Sequence, residues 1–185
     1  MSQLGKLGLS ASAWVVATAS AAPAVDSRET VIDFEQAEIG KPVPTWTEKA
    51  VVFSLAGPLA HSQAAGRVMF FPYLPAGRKG ILNAMAQEQE IPLQAKFPAP
   101  VAVVTFVLWG STGCPAKLSA FDSEGKLVDE AAVAAVPARR APADPVPQFE
   151  LTVKAAAIAT VRLSGPRNGE FLAADEVRFV PVGVK

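Results

Sequence analysis

Most of the chain alternates apolar and polar residues in short runs, which is the pattern of β-strands with one buried face. Residues 30–35 place Ile32 and Phe34 on one side and Asp33 and Glu35 on the other. About nine or ten such strands, with Pro, Gly and Asp turns and almost no helical periodicity, predict an all-β, antiparallel β-sandwich. The other runs are residues 50–55, 67–71, 91–97, 101–109, 117–121, 126–128, 149–153, 158–163 and 177–182.

The longest of these runs, residues 101–109 (VAVVTFVLW), is apolar throughout. It is too short and too β-branched for a core helix, so it predicts a central strand buried on both faces. Residues 98–100 (Pro-Ala-Pro) break the chain before it. Helix formers cluster only at residues 83–89, where a turn or two of helix is expected.

A hairpin is the clearest local signal. Asp122 opens a turn with its side-chain acceptor, and Gly125 supplies the positive φ that closes it. Residues 117–121 and 126–128 form the two arms, and residues 131–136 are expected to extend the second arm. The Pro-rich segment at 137–147 is predicted to be a long, solvent-facing loop.

Residues 1–24 have the pattern of a signal peptide. Lys6 precedes an apolar stretch, and small residues fit a cleavage site near Ala24. The sequence therefore predicts a single β-sandwich domain at residues 25–185 that is secreted or periplasmic. The alternative is a frayed N-terminal tail or a short helix.

Composition excludes several partners. The 185 residues are 50% hydrophobic and carry 17 Lys+Arg against 17 Asp+Glu, so no basic surplus is available for nucleic acid. After the N-terminal segment no apolar run approaches the roughly 20 residues of a membrane span.

The sequence does not predict an enzyme. It lacks the common nucleophile, phosphate-loop and metal motifs, and its one histidine, His61, is far in sequence from its one cysteine, Cys114. Cys114 is expected to be a buried or incidental thiol. A small glycoside hydrolase is the alternative, because a pair of carboxylates suffices for that reaction.

Three short motifs carry a family resemblance: Ile-Asp-Phe-Glu at 32–35, Asp-Glu-Val-Arg-Phe at 175–179, and Phe-Asp-x-x-Gly at 121–125. With these motifs the chain resembles the galactose-binding-like jelly rolls of secreted carbohydrate-binding modules, and related sandwich domains of exported bacterial proteins. The resemblance implies that the first and last strands pair. It also implies that Glu35 and Asp175 hold a structural calcium, the only cofactor expected.

The alternative is that these two acids and Asp33 are the polar faces of edge strands, paired with Arg178 or Arg162. Calcium binds six to eight oxygens, and carboxylates at two adjacent strand ends can converge on such an ion. The two interpretations stay open at this point.

Glycan recognition in such folds depends on exposed aromatic rings. Trp46, expected in a loop, and Tyr73, a few residues before Arg78, are the candidate ligand-binding residues together with Arg78 itself. Trp109 ends the apolar run and is expected in the core. The sequence thus predicts an exported non-catalytic binding module for carbohydrate or cell-envelope glycan. The alternative is a structural or adhesive envelope domain acting through protein contacts, with an apolar patch at residues 68–71.

Overall fold

A computed structural model describes residues 28–56, 67–73, 78–83, 91–110, 112–141, 144–165 and 172–183. The predicted signal peptide, His61 and all but the first residue of the helical turn expected at residues 83–89 lie outside the described residues. Every regular element in the described part is a β-strand. The strands are β1 (Thr30–Ile32), β2 (Trp46–Glu48), β3 (Val51–Leu55), β4 (Val68–Tyr73), β5 (Arg78–Asn83), β6 (Leu93–Gly110), β7 (Ala116–Phe121), β8 (Leu127–Val133), β9 (Phe149–Ser164) and β10 (Leu172–Pro181).

The fold is an antiparallel β-sandwich, as predicted. The hydrogen-bonded path runs β4-β5-β10-β6-β9-β7-β8, with β1 on β10, β3 on β6 and β2 on β3. Residues 93–96 of β6 pair with β3, whereas residues 101–110 pair with β10. Likewise, residues 149–158 of β9 pair only with β6, whereas residues 160–164 also pair with β7. The two long strands therefore pass from one layer into the other.

We call the two layers the first and the second sheet. The first sheet contains β2, β3, the start of β6, the end of β9, β7 and β8. The second sheet contains β4, β5, β1, β10, the rest of β6 and the start of β9. Alternate residues from both layers fill the core between them. Its largest fully buried side chains are Phe34, Phe53, Phe70, Phe106, Ile32, Ile81, Leu108, Leu118 and Ile158.

The prediction of separate strands at 91–97 and 101–109 is wrong, because β6 is continuous through residues 98–100. Prolines cannot donate to the ladder, and the register with β9 shifts between Lys96 and Val101, where the exposed Pro98 and Pro100 lie. The predicted break is thus the bend at which β6 changes layers. The runs at 149–153 and 158–163 are likewise one strand, β9.

The predicted hairpin is confirmed. Oδ1 of Asp122 accepts hydrogen bonds from the backbone N–H groups of Glu124 and Lys126 at 3.0 and 2.9 Å, and Gly125 has φ +80°. These contacts close the turn between β7 and β8, and the second arm ends at Val133.

The pairing of the first and last strands is also confirmed. β1 runs antiparallel to β10, with Ile32 opposite Val177 and Thr30 opposite Phe179. The motifs at residues 32–35 and 175–179 therefore lie together at one edge of the second sheet. In the described part of the chain, no helix is long and apolar enough to cross a membrane.

Candidate functional site

Asp175 occupies an irregular position in β10. The register between β10 and β6 shifts between Ala174 and Glu176, so Asp175 is a bulge residue. On the other edge of β10, Ala174 lies opposite Ile81 of β5, and Val177 lies opposite Ile32 of β1. Asp175 therefore lies where the neighbouring strand changes from β5 to β1.

The carboxylate of Asp175 is buried and belongs to a compact polar cluster. Its Oδ2 forms an ion pair with Nη2 of Arg78 and accepts a hydrogen bond of 2.6 Å from Nε2 of Gln148. Arg78 also donates to Oε1 of Gln148 at 3.2 Å, which closes a three-membered arrangement. We call these three residues the Arg78 cluster. No described residue forms a hydrogen bond with Oδ1 of Asp175.

The electrostatics of the cluster are set by burial. Burial raises the pKa of Asp175, whereas the Arg78 guanidinium and the Gln148 hydrogen bond act in the opposite direction. The nearby carboxylates of Glu176 and Glu35 add to the increase in that pKa. The side chain of Asp175 is 0% exposed and that of Arg78 is 42% exposed, so a buried anion holds a cation that reaches solvent.

The end of the Pro-rich loop covers the neighbouring part of the second sheet. Val146 packs against a small apolar cluster of Leu82, Trp109 and Ala173 on the outer face, apart from the main core. Trp109 is only 5% exposed, so its predicted burial is confirmed. The loop, predicted to face solvent, thus also packs on the sheet at its C-terminal end.

Glu35 lies beside the Arg78 cluster but has its own partner. Its Oε1 accepts a 3.2 Å hydrogen bond from the backbone N–H of Lys79, whose Nζ donates to the backbone oxygens of Glu35 and Ala37. Among the described residues, no group of three or more His, Cys, Asp and Glu side chains could hold a metal ion. The predicted calcium ligands Glu35 and Asp175 are therefore near each other but engaged with Lys79 and Arg78, and the calcium site stays a prediction.

The alternative pairing of Glu35 or Asp175 with Arg178 is wrong, because Arg178 contacts two other acids. Arg178 donates from Nε to Glu176 and from Nη2 to Glu150, the latter at 2.9 Å. The hydrogen bond to Glu176 is the main cause that raises the pKa of Arg178. Arg162, the other proposed partner, instead lies on the first sheet.

The structure separates the predicted aromatic residues. Tyr73 ends β4 directly opposite Arg78 in the β4–β5 register. Trp46 is half-buried in β2, with its ring 5.0 Å from that of Phe70 and its Nε1 donating to Glu48 at 3.3 Å. The expected loop position of Trp46 is wrong, because Trp46 pairs with Phe53 of β3 and packs against the core.

Two residues of this region were not among the ligand-binding residues predicted from sequence. Gln148 follows a Pro-rich segment whose pattern gives no sign that it folds back onto the sheet. Phe71 is 45% exposed, whereas Val68 and Phe70 of the expected apolar patch are buried in the core. Phe71 lies opposite Gly80 of β5, two residues from Arg78. The alternation in β4 shows that Phe71 faces outwards, and the position of β5 shows that it lies near Arg78.

No family model matches the chain, and no curated protein matches it. Solved structures similar to it include two carbohydrate-binding modules and an adhesin domain. The carbohydrate-binding module CsCBM6-3 from Clostridium stercorarium, in complex with cellobiose, is 14% identical, covers 70% of this chain and 87% of its own, and gives a TM-score of 0.38. The module TmCBM61, in complex with β-1,4-galactotriose, is 13% identical, with 81% and 90% covered and a TM-score of 0.40.

The third structure is the cleaved adhesin domain of Lys-gingipain from Porphyromonas gingivalis. It is 13% identical, covers 85% of this chain and 100% of its own, and gives a TM-score of 0.44. The similar structures are thus carbohydrate-binding modules and an adhesin domain. At these identities the likeness concerns the fold alone.

Proposed function

We propose that this chain is an exported, non-catalytic binding module that recognises carbohydrate on the outer face of the second sheet. One observation carries the proposal: a half-exposed arginine is fixed by a buried carboxylate, with an exposed aromatic ring close by. Arg78 is held by Asp175 and Gln148, and Phe71 is 45% exposed on the adjacent strand. Export rests on the predicted signal peptide at residues 1–24.

This arrangement suits a sugar for physical reasons. An arginine that is already ordered loses little conformational entropy when it donates hydrogen bonds to ligand hydroxyls. An exposed ring offers an apolar surface to the apolar face of a sugar. In the register Tyr73 lies opposite Arg78, so the proposed surface extends along β4 to this position, and it does not include Trp46.

The carboxylates of this face support binding rather than glycoside hydrolysis. Glu150 and Glu176 both form ion pairs with Arg178, so both carboxylates already have a partner within the fold. A glycosidase needs one carboxyl group that keeps a proton to protonate the leaving group. The side chain of Asp175 is fully buried, so it does not reach a bound substrate.

The test is native affinity electrophoresis in gels that contain soluble β-glucan, xylan or galactan, with a pull-down on insoluble cell-wall glycan. We expect at least one polysaccharide to retard the protein. Phe71→Ala should remove most of this retardation. Leu127→Ala, which removes a side chain 50% exposed on β8 of the first sheet, is the matched control and should bind like the parent.

Arg78→Lys tests the contribution of the guanidinium, the other group of the proposed site besides the Phe71 ring. Lysine keeps the charge beside Asp175 but loses the planar fork of donors, so weaker retardation is expected with little change in melting temperature. The proposal fails if no glycan retains the parent protein. It also fails if Phe71→Ala and Arg78→Lys both bind as the parent does.

A further inference from the structure

The outer face of the first sheet carries a straight row of polar side chains. The registers place Ser54 opposite Gln94, Gln94 opposite Arg162, Arg162 opposite Ser119, and Ser119 opposite Glu130. The row crosses β3, β6, β9, β7 and β8. At the usual spacing between strands it spans about 19 Å, enough for several sugar rings.

Arg162 is at the centre of this row and is held on two sides. Its Nε donates to Oε1 of Gln94 at 3.1 Å, and its guanidinium carbon lies 4.7 Å from the centre of the Phe121 ring. The side chain is exposed, and no described residue accepts a hydrogen bond from its two terminal nitrogens. A fixed guanidinium with both terminal groups available matches the planar geometry of a carboxylate.

The charge of this face is positive. Lys96 is exposed and lies in the next outward row, diagonal to Arg162. Among the described residues, no carboxylate pairs with Lys96 or Arg162. The one acid of the row, Glu130, is already engaged by Lys117 at 3.2 Å and by Ser119 at 3.0 Å. Two cations therefore face solvent without compensation.

We propose that the outer face of the first sheet is a second binding surface, for an extended polyuronate whose carboxylates pair with Arg162 and Lys96. The proposal goes beyond the function proposed above, because the face, the residues and the charge of the ligand all differ. The hydroxyl of Ser54 and the amide of Gln94 supply neutral hydrogen-bonding groups along the same row.

The experiment is affinity electrophoresis of the full chain in gels that contain polygalacturonate, dextran or dextran sulfate, over a series of NaCl concentrations. We expect polygalacturonate, and not dextran, to retard the protein, with a retardation that falls as salt screens the charges. The double variant Arg162→Gln/Lys96→Gln should lose about tenfold in affinity. Arg162→Lys should lose less.

The matched control is Lys41→Gln/Lys154→Gln, which removes two exposed positive charges outside this face. The control should bind polygalacturonate like the parent, and so should Phe71→Ala, because Phe71 lies on the other sheet. Failure of the carbohydrate function on the second sheet is therefore distinguishable from failure of this proposal.

The proposal is overturned if polygalacturonate does not retard the parent, or if the two charge-matched double variants weaken binding equally. Tighter binding to dextran sulfate than to polygalacturonate would also overturn it, since the recognised group would then not be a carboxylate. Melting curves of each variant show whether the fold is retained.

Discussion

At the scale of single residues, Asp175 has the largest influence on the candidate site. Its carboxylate is buried at the β10 bulge and fixes both the guanidinium of Arg78 and the amide of Gln148. Burial of a charge is costly unless partners compensate it, and here one oxygen has two partners while the other has none among the described residues. Burial therefore raises the pKa of Asp175, although Arg78 and Gln148 lower it.

The raised pKa gives a prediction about pH. An acid whose pKa is higher in the folded than in the unfolded state binds its proton more tightly when folded, so its contribution to stability increases as the pH falls through the raised value. We therefore expect the parent to gain stability relative to Asp175→Asn as the pH decreases from neutral towards the ordinary aspartate pKa. Urea unfolding at a series of pH values measures this difference. A difference that stays constant, or that moves in the opposite direction, contradicts the assignment.

Gly80 gives a second prediction at this scale. A Cβ built at Gly80 would lie 2.9 Å from Nε1 of Trp109, 3.2 Å from the backbone oxygen of Ala174 and 3.3 Å from Cβ of Ala173. Gly80→Ala should therefore lower the free energy of unfolding by about 1–3 kcal/mol, because neighbours that are themselves buried must move. Thermal or urea unfolding checks it. A stability equal to that of the parent would show that this face is packed more loosely than described.

At the scale of elements, β6 and β9 show which strands the sequence predicts and which strand boundaries it does not. Alternation predicted most strands, and Asp122 and Gly125 predicted the hairpin. Residues 98–100 were interpreted as a break, because the local pattern shows that prolines interrupt the ladder but not that the strand continues beyond them. β5 was missed because its alternation is broken: Lys79 stands where an apolar residue would accompany the core residue Ile81, and Leu82 on the opposite face is buried as well. Gly80 is required by the packing of Trp109 across the sheet.

The open edge of the sandwich is closed by one side chain. β8 ends the strand path, and the start of β9 pairs only with β6. Asp129 accepts hydrogen bonds from the backbone N–H groups of Glu130 at 2.9 Å and Lys154 at 2.6 Å, and thereby satisfies donors on both strands. Exposed strand edges are sites of intermolecular pairing, so we expect Asp129 to limit association of the domain as well.

Asp129→Ala should therefore destabilise the domain by about 1–3 kcal/mol and increase self-association. Urea unfolding measures the first effect and sedimentation velocity measures the second. Glu124→Ala, at an exposed position in the nearby turn, is the control. A monomeric Asp129→Ala protein of parental stability would contradict this role.

The β2–β3 hairpin carries local backbone strain. Lys49 and Ala50, the two residues between the strands, have φ values of +46° and +62°, and such turns favour glycine. Ala50→Gly should raise the free energy of unfolding by about 0.5–1 kcal/mol. Ala132→Gly, at an exposed position within β8, should instead lower it, and the opposite signs of the two changes form the test. Equal loss of stability in both variants would show that Ala50 is not strained.

At the scale of the whole molecule, the pairing of β1 with β10 brings residues from distant parts of the sequence into one site. The family resemblance predicted this pairing, and with it the neighbourhood of Glu35 and Asp175. Gln148 and Phe71 could not be predicted as site residues, because their positions depend on a loop folding back over the sheet and on which face of β4 is turned outwards. The sandwich thus has two different outer faces. The second sheet carries an aromatic ring beside an arginine that is ion-paired with a buried aspartate, and the first sheet carries positive charges without an acidic partner among the described residues.

The most direct test of the account is a map of amide chemical shifts in the ¹⁵N-labelled protein during titration with β-1,4-linked gluco- and galacto-oligosaccharides. We expect saturable changes that cluster in β4, β5, residues 146–148 and the start of β10, around Phe71 and Arg78. Saturable changes centred on the first sheet, or no changes with any of these neutral oligosaccharides, would contradict the assignment of carbohydrate binding to the second sheet.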